Sequence, residues 1–239
     1  MAYNNNFPKY TSIEKMKETA KKQRDKLKKK NPNLNPIVIE GNSIATTWWG
    51  KAWNKNLENY RDFSNRIPRG RSYVRNGAVL DVQIKKGVVD ALVSGSNKEP
   101  YKIKVQIKPI TTKQWDSVLL LCHHKIDNLS ELVNGKFPKE LEEIFTLKGK
   151  GLFPTIQDID FNCNCFDYAN MCKHVAAVLY GIGARFDDDP TLFFKLRNID
   201  FEDLLKKTIE QKMKSMLENS DKKSNRILED ENVFDLFGL

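Results

Sequence analysis

Three of the four cysteines and one of the three histidines in this 239-residue chain fall within twelve residues, as Cys163-Asn164-Cys165 and Cys172-Lys173-His174. Zinc takes four tetrahedral ligands from thiolate sulfur and imidazole nitrogen, and a Cys3His set fills every position. That set describes a structural site, because hydrolytic zinc keeps one position open. Reduced thiols beside a surface histidine, or a catalytic cysteine–histidine pair, are the alternatives, but no nucleophile elbow or orienting acid accompanies the pair. The spacing predicts Cys163 and Cys165 at the end of a strand over 156–161, where residues two apart share a face. It predicts Cys172 and His174 in the first turn of a helix from about Met171 to Gly183, buried through Val175, Val178, Leu179 and Ile182. The amides of a helix start favour a thiolate at Cys172. A metal there would staple strand to helix.

The compartment bears on that reading. The longest apolar run, Val118 to Cys122, is far short of the roughly 20 residues of a membrane helix. The polar, Asn-rich start does not read as a signal peptide. A cytoplasmic chain is therefore expected, where thiols stay reduced and serve metals more often than disulfides.

Patterning along the chain predicts an α+β fold. Thr11-Ser12-Ile13-Glu14 reads as a capping box opening a charged helix to about Lys30, standing in solvent or only partly ordered, before an Asn/Pro linker to Pro36. A short strand at Ile37 and a Thr-capped aromatic helix from Trp48 to about Tyr60 follow. Trp48, Trp49 and Trp53 recur at helical spacing and are expected in the core, with Trp49 the most exposed. Ala78–Ile84, Val88–Val93 and Tyr101–Ile107 form an antiparallel meander, the last strand turning Ile103, Val105 and Ile107 inward and Lys102, Lys104 and Lys108 outward. Helices are expected from Thr111 or Thr112 to His124, over 130–134, 138–145 and 190–196, and from Phe201 to Leu217. Cys122-His123-His124 reads as a buried thiol with two capping imidazoles, and Asp187-Asp188-Asp189 as a capping acidic turn.

The Cys-x-Cys, short spacer, Cys-x-His pattern resembles the SWIM-type zinc finger. Phe161 to Tyr168, Met171 to Gly181 and Asp189 to Phe194 are similar to bacterial members of that family, as are Thr47 to Trp53 and Arg69 to Arg75. The resemblance covers about residues 40–205. It implies a bound Zn2+ on Cys163, Cys165, Cys172 and His174, and a loose connection to DNA, because such proteins are usually encoded beside Swi/Snf-class helicase-like ATPases. The expected domains are a basic helix and linker (1–36), an amino-terminal α+β domain (37–150), a zinc-stapled β/α finger with a helical extension (151–205), and a helix end and tail (206–239).

Charge decides where a polyanion would bind. Residues 1–110 hold 23 basic and 9 acidic side chains, whereas residues 156–205 hold 4 and 9. Arg66, Arg69, Arg71, Tyr73 and Arg75, read as a Gly-containing loop beside a basic sheet carrying Lys102 and Lys104, are the candidate nucleic-acid residues. The expectation is a non-enzymatic, zinc-binding accessory protein that binds nucleic acid, DNA in preference to RNA, and a helicase-like ATPase. The competing class is a protein-interaction module without nucleic-acid affinity. Val233-Phe234-Asp235-Leu236-Phe237 reads as a tail packing on the domain, with a groove-docking peptide as the alternative.

Overall fold

The computed structural model describes residues 12–123, 139–147 and 149–200, with helical positions 202, 206, 207, 209, 210, 213, 214 and 217 beyond. The expected helix over 130–134, the histidine at 124, the side chains of Cys122 and His123, and the carboxy-terminal peptide lie outside the described residues. The fold is α+β, one antiparallel sheet with helices, and no described helix is long and apolar enough to cross a membrane.

The period-two segments form the sheet where expected. Strands β1 (Val79–Lys85), β2 (Val88–Val93) and β3 (Tyr101–Ile107) make the meander, with Ala91 opposite Ile103. The metal strand does not stand apart. β4 (Ile159–Cys163), preceded by a 3-10 turn over Ile156–Asp158, pairs antiparallel with β3, placing Cys163 opposite Ile103 and Ile107 opposite Ile159. Alternation turns Val89, Ala91, Val93, Ile103, Val105, Ile107 and Ile159 to one buried face. The expected strand at Ile37 is an extended segment beside β1, tied by Ile37 N to Val79 O (3.1 Å) and Val82 N to Asn35 O (3.0 Å).

The helices are α1 (Ile13–Lys30), α2 (Trp48–Leu57), α3 (Arg66–Arg75), α4 (Thr112–His123), α5 (Leu141–Thr146), α6 (Lys173–Asp188) and α7 (Thr191–Leu196). A helix apolar on every side must be surrounded, and α6 is buried at all residues from His174 to Gly183. It lies on the inner face of the sheet, touching all four strands, with α2 and α3 packed against it. Trp53 sits in this core among Phe153, Phe186 and Phe193, its indole N–H donating to Leu179 O at 2.9 Å. Trp48 and Trp49 are both half-buried, and the Trp49 indole N–H donates to Phe186 O at 2.8 Å.

Of the acidic run expected to cap the next helix, Asp189 does so, whereas Asp187 lies within α6 and reaches the start of α2. Asp187 accepts the Thr46 and Thr47 amides at the start of α2, and Asp189 accepts the Thr191 amide at the start of α7. Helix α1 docks on the fold instead of standing in solvent. Its N-cap is Ser12, one residue beyond the Thr11 that a capping box with Glu14 requires, and it accepts the Lys15 amide, while the Gln23 side chain donates to the Asn97 and Lys98 carbonyls between β2 and β3.

Candidate metal centre

Three pieces of backbone meet at the quartet. Cys163 ends β4 on the sheet's inner face, Cys165 opens the loop that follows, and Cys172 is the N-cap of α6, its sulfur accepting the Val175 amide at 3.5 Å. His174 follows in the first helical turn. The four ligand atoms lie within 4.8 Å of one another, and His174 Nδ1 is 3.9 Å from both Cys163 Sγ and Cys172 Sγ. A tetrahedral ion with bonds near 2.3 Å to sulfur needs ligand–ligand edges of roughly 3.7 Å. The quartet is within a small inward shift of that geometry, so these residues could hold a metal ion.

Aromatic rings fix the imidazole. Tyr101 stacks on it with centroids 4.1 Å apart, and Tyr73 meets it edge-on at 5.4 Å. A side chain at Gly95 would close this pocket, since a Cβ there would lie 2.4 Å from Tyr101 and 3.2 Å from His174 Nε2. Nδ1 faces the thiols, so it is the nitrogen that could ligate a metal ion here. The buried Nε2 finds no hydrogen-bond partner among the described residues. Tyr101 was legible only as an inward-facing strand residue, and nothing in the sequence marks its place beside His174.

The protons of the cluster are already unequal. The Cys172 thiol is pushed down to about 4, first by a hydrogen bond from the Cys163 thiol and then by His174 and the Val175 amide, against its burial. Sharing that proton with Cys172, together with burial, pushes Cys163 up. Cys165 is raised chiefly by burial, and burial lowers His174 and keeps its ring neutral. A neutral imidazole and one formed thiolate suit a soft divalent cation, whose arrival would displace the remaining thiol protons.

The expected basic loop is corrected. Arg66–Arg75 forms α3, because Pro68 sits in a first turn where its missing N–H costs nothing and Gly70 is a helix–helix contact, not a flexible joint. A Cβ at Gly70 would lie 2.5 Å from Ala176 Cβ on α6. Arg66 pairs with Asp167 at 2.8 Å, and Arg71 is held by Glu58 and Tyr180. Arg69 and Arg75 are exposed, with Arg75 donating to Asn42 O. Lys102 and Lys104 are exposed on the opposite face of the sheet, lining a hollow with Asp81, Asp90 and Asn162. The fold therefore does not bring the arginines and the sheet lysines to one surface. Sequence reasoning also missed two exposed rings in the ligand loop, Phe166 and Tyr168.

The chain is 38% identical over 183 residues to Rv2102, an uncharacterized protein of Mycobacterium tuberculosis. The matched stretch covers 73% of this chain and 66% of that relative, just under two thirds of its length. No family model matches the chain. No solved structure matches it. The Cys3His cluster is compatible with a zinc finger, while the SWIM family itself draws no support from the family models.

Proposed function

We propose that this chain is a non-enzymatic zinc protein that binds nucleic acid, DNA in preference to RNA, as an accessory to a helicase-like ATPase of the Swi/Snf class. The observation that carries it is the closed quartet. Three sulfurs and one nitrogen leave a tetrahedral ion no position for water or substrate, which suits a cross-link between β4 and α6. When bound, zinc supplies that cross-link and neutralises the thiolates. The residues around it do the rest: Cys172 caps α6, and Tyr73, Tyr101 and the core apolar residues of α6 exclude water.

The nucleic-acid reading draws support from α1. Nine of its 18 residues are basic and three acidic, and its lysines are exposed while Ala20 and Gln23 anchor the opposite side. Such a helix presents a row of cations to phosphate. The ATPase partner rests on the resemblance described above.

Elemental analysis should find one zinc per chain. Fluorescence anisotropy with labelled duplex and single-stranded oligonucleotides should show binding that weakens steeply as salt rises. No binding to either at about 50 mM salt would remove the nucleic-acid reading and leave the protein-interaction module. Affinity purification after nuclease treatment should recover the ATPase, and its absence would remove the partner.

A further inference from the structure

We infer that the ligand loop and the facing side of α3 form a stacking site for single-stranded nucleic acid, built on Phe166 and Tyr168. The inference rests on the nucleic-acid reading above and assigns it a surface. Between Cys165 and Cys172 the chain has no regular structure, and two aromatic side chains stand out from it, Phe166 at 92% exposure and Tyr168 at 103%. Rings of this size lose favourable burial by standing in water, and nothing among the described residues covers them. The loop that carries them is not loose. Cys165 and Cys172 bring its two ends together in the Cys3His cluster, Arg66 grips Asp167 between the two rings, and Asp62 accepts the Asn170 amide at 2.6 Å.

The surroundings decide the occupant. Arg66, Arg69 and Tyr73 follow one another at helical spacing and share one side of α3. Arg66 touches the loop at Asp167, and Tyr73 touches His174 and lies under the Lys173 ammonium, 5.9 Å from its ring centroid. Arg69, between them on the same side, is thereby set along the loop. A third exposed ring, Phe63, lies beneath the Arg66 guanidinium at 5.5 Å. Aromatic faces interleaved with cations make a platform on which bases stack while phosphates meet Arg69 and Lys173. A protein-docking patch would be expected to join its apolar residues into one surface, and here Asp167, paired with Arg66, comes between the two loop rings in the chain while Arg66 lies over Phe63. Of the acids in residues 156–205, the one between the two rings, Asp167, is paired with Arg66, which leaves Arg69 and Lys173 as the cations offered to phosphate beside the loop.

The probe is a fluorescein-labelled oligothymidylate of about 20 nucleotides, long enough to span one such site, with a duplex of equal length as comparison. F166A/Y168A in the zinc-loaded full chain should weaken single-strand binding at least about tenfold. Its salt slope should stay unchanged, since no cation is removed, whereas Arg69→Gln should lower the slope by about one. Zinc content and circular dichroism of the double variant should match wild type, because both rings are exposed, and Y168W should keep wild-type affinity. Wild-type single-strand affinity in F166A/Y168A would overturn the stacking site while leaving nucleic-acid binding in place. The same result with altered self-association in sedimentation would assign the rings to a protein interface. If the wild-type chain bound neither probe, this inference and the reading beneath it would both fall.

Discussion

Gly70→Ala should destabilise this protein, although the same change in an exposed loop or on an open helix face would stabilise it. A Cβ at Gly70 would lie 2.5 Å from Ala176 Cβ, 3.0 Å from the Ala176 carbonyl carbon and 3.1 Å from the Ala177 nitrogen. Ordinary carbon contacts are about 3.5–4.0 Å, and two of these neighbours are backbone, so α3 and α6 must part by about 1 Å. Overpacking costs about 1–3 kcal/mol, and contact with helix backbone that cannot rotate away places this one at about 2–3 kcal/mol, offset by about 1 kcal/mol of better helix propensity. The net expectation is a loss of about 1–2 kcal/mol, which lowers Tm by roughly 2–8 °C in a chain of this size. Separation of the helices also withdraws Tyr73 from His174, so zinc should be released to a chelator at lower concentration than from wild type. Urea unfolding followed by far-UV circular dichroism reads the stability. A variant as stable as wild type, or more so, would refute the close contact between the two helices.

Cys172→Ser keeps a side chain able to cap α6 and removes one soft ligand. It should therefore retain the helix yet lose zinc and about 3 kcal/mol, the loop-closure worth of a cross-link over roughly a dozen residues. Undiminished zinc by elemental analysis would contradict the ligand set. Asp187→Ala should cost about 1–2 kcal/mol and speed amide exchange in the first turn of α2, because it strips the acceptor from the Thr46 and Thr47 amides. Unchanged exchange there would count against that cap. Burial pushes the Tyr60 phenol up to about 12 from an ordinary 10, and burial with Glu58 raises Tyr180 as well. The unfolded chain thus releases these protons first, so stability holds below about pH 10 and falls as pH rises toward 12. Urea midpoints should track that fall and Tyr60→Phe should flatten it; midpoints independent of pH in that window would refute it.

Where short-range pattern carries the information, the sequence was sufficient. β2 and β3 begin and end where their alternation does, since period two leaves one choice of face once the core is apolar. Ser12 and Thr47 cap α1 and α2 through their own side chains, a contact three residues long. The four residues that gather into the Cys3His cluster were legible for the same reason, being two short pairs whose chemistry is local. What tertiary structure decided is everything that depends on a distant partner. Gly70 and Pro68 look like loop punctuation until α6 is seen pressing on the glycine. β4 could not be joined to the meander without knowing that β3 offers it an edge. Arg66 and Arg71 read as a cationic patch until Asp167 and Glu58, 101 and 13 residues away, take their charges. Phe166 and Tyr168 would pass as core residues on composition alone, and only the closed ligand loop, with its ends held and its middle tied to Arg66, turns them to solvent. Local pattern fixes which way a residue faces along its own element, but burial is a property of what arrives on that face, and the chain brings that from far away.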